Sequence, residues 1–414
     1  MSAVKQFTYR IKLQTVTPVS IGSDKGDSLS PYADYVFSDN SRQLLYLRQP
    51  AVEAAVMQAG ALDDYIAGIR ESMDNNRSAF DLKQFLTGRL KGNLPDLVLQ
   101  TVEQHGMQAG QRVPVSPMVK NAGQLFIPGS SIKGALRTAM LYDWLVNTAD
   151  GLENLKESAK QTETCLDIRE QIFKLKKGPD RYEQYVKRQI RELEQKARSS
   201  ERSIFDEEKL FGGLREGPDA RFIRVSDTAA LRQPWEVHAL RRIRIVPGQG
   251  KSSIPQVLEA IPPGTSFEFE VSALEGFRHQ ALHYWLTGSF ETVFKNLNTF
   301  SKACIENEIF ELEDALDSAE PLAFEREVNQ LLEFYRGLLE KVDAGHVFLR
   351  LGFGKTVSDN SLILALLNGL ETSDAWHSFR AAFHKIRRRD AFFPVTRALT
   401  HQGIPMGWVE LKSF

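Results

Sequence analysis

Hydrophobic and polar residues alternate along residues 7–16, the first clear element of the chain. The apolar positions recur at every second residue and are Phe7, Tyr9, Ile11 and Leu13. A period of two is typical of a strand with one buried face. We therefore predict a half-buried strand here, ended by Thr17-Pro18.

A second pattern joins a short apolar strand to a strong helix. The strand covers residues 124–128 and is followed by small residues at 129–134. From 135 to 146, apolar residues recur at helical spacing and give the helix a buried side. We predict a turn over the small residues and a helix after it, with Ser130 or Ser131 as the N-cap.

Strands and helices alternate again in the C-terminal half. The predicted strands are 235–246, 266–274, 347–351 and 404–411, and the predicted helices are 276–300, 318–343 and 361–369. This order fits two strand-helix-strand-strand-helix-strand units better than one long doubly wound sheet. We predict an α+β fold of two ferredoxin-like domains with helical insertions.

The predicted domains are residues 1–230 and residues 231–414, and the first carries helical insertions at about 60–123 and 150–208. The insertion at 150–208 is rich in both basic and acidic residues. Such a sequence is typical of a solvated helix with i,i+4 ion pairs, and also of a helix that turns a basic face toward RNA. The sequence leaves both interpretations open.

The charge balance narrows the range of partners. The 414 residues include 52 Lys and Arg and 53 Asp and Glu, a formal net charge of -1. Bulk positive charge therefore does not hold a nucleic acid, whereas a local basic groove stays compatible with this balance.

The two cysteines, Cys165 and Cys304, lie far apart and argue against a disulfide scaffold. The N-terminus has no apolar signal segment and no run is long enough to span a bilayer, so we expect a cytoplasmic protein.

Candidate chemistry concentrates at the start of the helix that follows Pro128. The backbone N–H groups of a helix N-terminus attract anions. Lys133 and Arg137 are four residues apart, so both side chains leave the helix on the same side. This arrangement predicts a phosphate contact. The alternative is an ordinary strand-turn-helix junction with two surface cations.

The run 348–356 is a second candidate, because it places a glycine on each side of Phe353. Glycine has no Cβ, so a ligand backbone can approach closely there. Arg350 and Lys355 frame the glycines, and the ring of Phe353 is suited to stacking on a base. The same residues are also typical of a tight hairpin with a core phenylalanine.

Acidic and histidine residues give weaker signals. The loop 23–34 holds Asp24 and Asp27, which suit either a metal-dependent RNA-cleaving site or a solvated flexible loop. His377 and His384 lie two helical turns apart, a spacing more typical of a surface than of a metal site. We predict no resident metal ion and no cofactor.

Several motifs occur in an order that is typical of one protein family. They are Thr17–Gly22, Ile127–Thr138, Leu210–Gly213 followed by Arg221–Asp227, and Leu351–Lys355. In these motifs the chain resembles the RAMP proteins of type III CRISPR effector complexes. Its C-terminal segments, Phe393–Arg397 and Met406–Val409, are similar to the branch that caps the 3′ end of the guide in the type III-A Csm complex.

The resemblance implies a fold, a role and a set of partners. The fold is a pair of ferredoxin-like (RRM-like) domains. The role is a non-catalytic subunit that caps the 3′ end of the CRISPR RNA in antiviral defence and is needed for guide maturation. The partners are the CRISPR guide RNA, the adjacent backbone RAMP subunit and cellular nucleases, with no membrane. The residues expected at the RNA are Ser130, Ser131, Lys133, Arg137, Arg350, Gly352, Phe353, Gly354 and Lys355.

Two other functions stay open as alternatives. A metal-dependent RAMP endoribonuclease acting on guide or target RNA would use an aspartate soon after the first strand, here Asp24 or Asp27. The guide-processing branch of the family uses a histidine near the N-terminus, and this chain has none before His105. The other alternative is a scaffold that binds only protein.

Overall fold

The structure is a computed structural model that describes residues 6–23, 28–74, 80–90, 92–203, 223–245, 256–274, 290–369 and 396–413. Its helices are α1 (Gln49–Gln58), α2 (Leu62–Asp74), α3 (Leu82–Gln84), α4 (Leu94–Leu97), α5 (Gly129–Asn147), α6 (Ala149–Lys177), α7 (Gln184–Ser203), α8 (Phe290–Leu316), α9 (Glu325–Asp343), α10 (Val357–Asn360) and α11 (Ile363–Gly369). A π-helical turn, Phe85–Arg89, continues α3.

The strands belong to two main sheets and one hairpin. They are β1 (Gln6–Thr15), β2 (Tyr35–Phe37), β3 (Gln43–Leu47), β4 (Val98–His105), β5 (Val115–Ser116), β6 (Lys120–Asn121), β7 (Gln124–Leu125), β8 (Ile223–Val225), β9 (Glu236–Arg244), β10 (Gln256–Ala260), β11 (Ser266–Leu274), β12 (Val347–Arg350), β13 (Thr396–Leu399) and β14 (Trp408–Ser413).

The alternating N-terminal segment forms β1, the central strand of an antiparallel sheet with the order β12-β14-β1-β11-β8. Leu13 pairs with Phe267 on one side and with Leu411 on the other, and all three side chains are buried. On the opposite face, Arg10 forms an ion pair of 3.3 Å with Glu270. The predicted half-buried strand is confirmed, because alternate side chains enter the core.

The second sheet has the order β2-β3-β4-β9-β10-β5, and β13 also pairs with β9. β4 runs parallel to β9 over residues 236–238, whereas β13 runs antiparallel to it over 241–244. β6 and β7 form a hairpin whose turn residues, Ala122 and Gly123, both have positive φ. A turn with two positive φ values matches the twist of the strands that it joins. The hairpin delivers the chain to α5.

The main hydrophobic core combines both sheets with helices α5, α8 and α9. Tyr335 and Trp408 are fully buried in it and meet edge to face, with their ring centroids 6.1 Å apart. A smaller cluster lies beneath α1, and another fills the seam between α6 and α7. Burial of these apolar side chains supplies the main driving force for the fold. Within the described ranges, no helix is long and apolar enough to cross a membrane.

In the C-terminal half the predicted strands and helices occur near their predicted positions, but β10 and β13 were not predicted, and residues 276–289 of the first predicted helix lie outside the described residues. The helices predicted at 276–300 and 318–343 correspond to α8 and α9, but α8 continues to Leu316. The prediction of a helix end near Ser301 was wrong. Ser301 is buried within α8 and its hydroxyl donates to the carbonyl of Phe348, so the helix continues past this position while it packs against β12.

The predicted α+β architecture is confirmed. Both sheets combine strands from either side of residue 230, since β1 pairs with β11 and β14, and β4 pairs with β9. The composition of the sheets therefore does not separate the domains predicted at 1–230 and 231–414, and that division stays a prediction.

A buried ion pair fixes β13 against α8. Arg397 Nε lies 2.6 Å from Glu308 Oε2, and the two side chains are 2% and 1% exposed. Removing one partner of such a pair leaves the other charge buried without compensation, which is much more costly than losing an exposed pair. The position of the C-terminal segment therefore depends on this contact.

We predict that Arg397→Met lowers the free energy of unfolding by about 3–5 kcal/mol, because Glu308 stays buried and loses its cation. The measurement is guanidinium-induced unfolding of the full chain. Arg336→Met is the matched control, because Arg336 on α9 pairs with Glu313 on α8 at 2.7 Å in an exposed position. The control should lose at most about 1 kcal/mol. Equal losses would contradict the anchoring role.

Candidate nucleic-acid interface

The first turn of α5 is held by the segment that follows β8. The N–H of Ile127 donates to Thr228 Oγ1 at 2.9 Å, and the N–H of Thr228 donates to the carbonyl of Ile127 at 3.1 Å. The N–H of Gly129, the first residue of the helix, donates to Asp227 Oδ1 at 2.7 Å. Residues 226–228 therefore set both the position and the direction of α5.

The N-cap of α5 is Pro128, and the prediction of Ser130 or Ser131 was wrong. Pro128 has φ -62 and ψ 134, so the helix begins one residue later, at Gly129, and includes both serines in its first turn. The side chain that accepts from the helix start belongs to Asp227 instead. Its carboxylate brings negative charge to the positive end of the helix. Attraction of a phosphate here therefore depends more on side-chain cations than on the helix end.

Lys133 and Arg137 lie on one side of α5, as predicted from their spacing. Lys133 is half-buried, and its Nζ donates to the carbonyl of Ile223 on β8 at 2.6 Å. Burial, followed by the charge of Arg137, lowers the pKa of the Lys133 ammonium. Lys133 thus joins α5 to the edge strand β8 and also brings positive charge to that edge.

One side of α5 is polar and the other is buried. Ile132, Ala135, Leu136 and Ala139 are buried in the core. Positions separated by three or four residues share a face of a helix, so the half-buried and exposed residues between them form a stripe on the outer side. We call this set the α5 polar stripe, and it consists of Ser130, Ser131, Lys133, Gly134, Arg137 and Thr138.

Arg350 was predicted at the RNA, and its placement does not fit a direct contact. Its side chain is 3% exposed, and Nη1 donates to Asp359 Oδ2 at 2.8 Å. Nε donates to the carbonyl of Met406 at 3.0 Å. Burial opposes the guanidinium charge, but the Asp359 carboxylate raises the pKa of Arg350. Arg350 therefore holds β12, α10 and the C-terminal segment together.

The glycine-rich loop packs against the chain's own backbone. Gly352 has φ +63, and a Cβ on it would lie less than 3.0 Å from the carbonyl of Ser20. Phe353 donates its N–H to the same carbonyl at 2.7 Å, and its half-buried ring packs on a small core that contains Met406. Gly354 also has positive φ. The glycines do permit a close approach, but the backbone that approaches Gly352 is that of residue 20.

Lys355 ends this loop in a half-buried position. Burial lowers the pKa of its ammonium, whereas the nearby Asp359 carboxylate opposes that effect. Asp359 Oδ2 accepts from Arg350 and from the N–H and hydroxyl of Thr356, the N-cap residue of α10. Lys355 is half-buried whereas Arg350 is buried, so Lys355 is the more accessible of these two cations.

Three motifs that lie far apart in the sequence meet at one place, which we call the motif junction. It consists of residues 17–22, 351–355 and 406–409. The N–H of Gly407 donates to the carbonyl of Pro18 at 2.9 Å, and the N–H of Trp408 donates to Thr17 Oγ1 at 2.9 Å. The N–H of Leu351 donates to the carbonyl of Gly407 at 2.7 Å. These hydrogen bonds join the three motifs in the folded chain.

The two predicted RNA segments lie near opposite edges of one sheet. Lys133 reaches β8, the outermost strand on one side, and the glycine-rich loop follows β12, the outermost strand on the other. Helix α5 connects them, because Ala135 shares a small cavity with Arg350, Asp359 and Trp408. The structure thus brings both segments to the same sheet without placing them side by side.

The insertion at 150–208 contains the long antiparallel pair α6 and α7. Some exposed ion pairs join the two helices, as Lys176 and Glu194 do at 2.7 Å, and others lie within a single helix. Near the turn between the helices, Phe173, Tyr182 and Tyr185 are exposed, with Lys177 over the ring of Phe173 and Arg181 over that of Tyr182. Ion pairs suit a solvated hairpin, and aromatic rings among cations suit RNA, so both predicted roles stay predictions.

Some predicted residues lie outside the described part of the chain. They are Asp24 and Asp27, His377 and His384, and the motif Leu210–Gly213. Asp227 and Thr228 accept hydrogen bonds from the backbone at the start of α5, a role that the sequence analysis did not assign to them. The Ser226-Asp227 pair does belong to one of the family motifs. A polar pair directly after a short strand was the available signal.

Comparison with known proteins identifies a family match and related structures. A model described as the RAMP superfamily matches residues 12–358. The "CRISPR system Cms protein Csm5" of Methanocaldococcus jannaschii is 31% identical over 140 residues, which cover 33% of this chain and 31% of that protein. The match thus spans about a third of that relative's length.

Two solved structures have a similar fold. One chain belongs to a cryo-EM structure of a Csm-crRNA-target RNA ternary complex of the type III-A CRISPR-Cas system. It has a TM-score of 0.65 and 21% identity, over 98% of this chain and 100% of that chain. The crystal structure of T. onnurineus Csm5 has a TM-score of 0.58 and 20% identity, over 96% of this chain and 99% of that chain. At this level of identity the likeness establishes the fold.

We predict that Gly129→Ala destabilises the chain by about 1–3 kcal/mol, because the new Cβ has to displace backbone. That Cβ would lie less than 3.0 Å from the carbonyl oxygens of Val225 and Ser226. Gly134→Ala is the matched control in the same helix, since its Cβ would meet nothing within 4 Å. The control should gain up to about 1 kcal/mol. Chemical unfolding measures both, and equal effects would contradict this docking of α5.

Proposed function

The chain belongs to the RAMP superfamily, and from that membership and the α5 polar stripe we propose that it is a non-catalytic RNA-binding subunit of a type III-A CRISPR effector complex. The observation that carries the proposal is the position of Lys133 and Arg137 on the outer side of α5, inside the family's lysine-bearing motif. The similarity to Csm5 of M. jannaschii supports the choice of complex.

The proposed contact reads the RNA backbone rather than its sequence. Lysine and arginine at the α5 polar stripe meet phosphates, and such contacts position RNA without specifying bases. Ser130 is exposed at the same end of the helix and offers a hydroxyl to the same backbone. Lys355 and Phe353 flank the RNA at the other edge of the sheet, and Arg350 supports their loop from beneath. This division of roles fits the balanced charge of the whole chain.

We further propose that the chain caps the 3′ end of the CRISPR RNA next to a backbone RAMP subunit. In this position it supports guide maturation by cellular nucleases, in the cytoplasm, as part of antiviral defence. The resemblance of the C-terminal segment Met406–Val409 supports this branch assignment, and that segment is part of the motif junction. An end cap needs one basic path, and its other faces are available for protein contacts.

We predict that the double variant Lys133→Ala, Arg137→Ala weakens guide-RNA binding by the assembled complex and flattens its salt dependence. Each phosphate contact that is lost should lower the slope of log affinity against log salt by roughly 0.7. The measurement is fluorescence anisotropy with labelled guide RNA across a salt series. The matched control is Lys156→Ala, Lys160→Ala, which removes two exposed cations with the same spacing from α6.

Arg137→Ala is also tested alone, because Lys133 bonds to Ile223. The thermal unfolding midpoint of each variant is measured, so that a loss of stability is told apart from a loss of RNA contact. Unchanged affinity and slope in both α5 variants would contradict the contact, and no salt-dependent RNA retention at all would favour the protein-only scaffold. Crosslinking of the same complexes tests the cap: crosslinks confined to the 3′ portion of the guide support it, and crosslinks along the whole guide contradict it.

The endoribonuclease alternative has its own test, on the residues Asp24 and Asp27. We predict that purified chain with Mg²⁺ or Mn²⁺ leaves labelled guide and target RNA intact, because the proposed subunit positions RNA without cleaving it. Cleavage by the wild-type chain that is lost in Asp24→Ala or Asp27→Ala would contradict the non-catalytic role. Asp96→Ala, a change in an exposed acidic residue of α4, is the control for nonspecific loss.

A further inference from the structure

Three side chains that are scattered in the sequence meet on one face of the second sheet. His105 ends β4, and Glu236 and His238 lie on β9. The strands are parallel, and His105 lies opposite His238 in their register. Residues two apart along a strand share a face, so Glu236 is on the same side as His238. One potential ligand atom from each residue lies within 4.8 Å of the other two.

Both histidines approach the same carboxylate. His238 Nε2 lies 2.9 Å from Glu236 Oε2, and His105 Nε2 lies 3.6 Å from Glu236 Oε1. The two imidazole rings are stacked, with centroids 4.8 Å apart and planes inclined by 24°. The three groups thus surround a common point from two strands instead of forming isolated ion pairs.

The hydrogen bonding of this cluster is incomplete. At 3.6 Å, His105 Nε2 is too far from the carboxylate for a hydrogen bond. Within the part of the chain that the structure describes, this buried atom has no hydrogen-bond partner, and neither has His238 Nδ1. A buried polar atom without a partner costs free energy. An ion that accepts the lone pair of His105 Nε2 would remove that cost at His105.

We propose that His105, Glu236 and His238 bind a divalent transition-metal ion, most suitably zinc. Two imidazoles and one carboxylate are a donor set that zinc takes in proteins, whereas calcium and magnesium prefer oxygen ligands throughout. His238 is buried at the base of the site, and the side chain of His105 is 31% exposed, so the ion enters from the β4 side. Three protein ligands leave one position of a tetrahedron for water.

The ion would stabilise the short contact between strands β4 and β9. β4 and β9 share a parallel register of only the three pairs from Glu103–Glu236 to His105–His238. Gly106, directly after His105, has φ +88, and the loop with His401 packs against it. The site therefore lies where three distant segments meet. Binding to the folded chain alone stabilises it by mass action.

The test uses the full chain with its purification tag removed and its metals stripped with EDTA. One equivalent of Zn²⁺ is added, the protein is desalted, and retained zinc and the thermal unfolding midpoint are measured. We expect one zinc per chain and an increase in Tm by several degrees. Co²⁺ in place of zinc should give the visible absorption of a four- or five-coordinate site. The variants His105→Gln, Glu236→Gln and His238→Gln should each weaken binding by at least about tenfold.

The matched control is His346→Gln, because His346 pairs with Glu410 at 2.6 Å but, among the residues that the structure describes, belongs to no group of three potential ligands. This variant should bind zinc like the wild type. His105→Gln is the decisive variant, since its partly exposed side chain can be changed without emptying the core. No retained zinc and no Tm shift in the wild type, or equal binding by His105→Gln and His346→Gln, would overturn the proposal.

Discussion

The pairing of β1 between β11 and β14 is the constraint on which the rest of the structure depends. It places the N-terminal strand at the centre of a sheet whose other members come from the second half of the chain. Once this sheet closes, Thr17 and Pro18 reach the backbone of Gly407 and Trp408, and the motif junction forms. The glycine-rich loop is part of that junction, and Arg350 donates to the carbonyl of Met406 within it. Helix α5 lies against the same sheet, so its position also follows from this pairing.

The cations of this chain have two roles that a sequence does not distinguish. Some join distant segments inside the fold, and others bring positive charge to the surface. Arg350 and Arg397 are buried, each against one carboxylate, and they join segments that lie far apart along the chain. Lys133 serves both purposes, because it bonds to β8 and also brings charge to the surface of α5. Each buried pair removes one positive and one negative charge from the surface, so the near-zero net charge of the chain does not decide whether one of its surfaces is basic.

Local patterns predicted local structure well, and long-range contacts account for what they did not predict. The strands β1 and β11 and the charged helices α6 and α7 could be predicted from the sequence, because the local pattern of apolar and charged residues shows which side chains are buried and which are exposed. The burial of Arg350 was not, since its partner Asp359 becomes a neighbour only after the chain turns at Gly352 and Gly354. The cap of α5 was missed for the same reason: the carboxylate that accepts from Gly129 belongs to Asp227, far along the chain.

The glycine at the start of α5 has a further consequence for how such proteins are recognised. A side chain at residue 129, or at Gly352, would collide with backbone carbonyls of the chain itself. A descendant that had lost every contact with nucleic acid would still need these residues in order to fold. Sequence searches that rely on these glycines therefore detect the shared fold first. Evidence for a shared function has to come from the cations that lie between them.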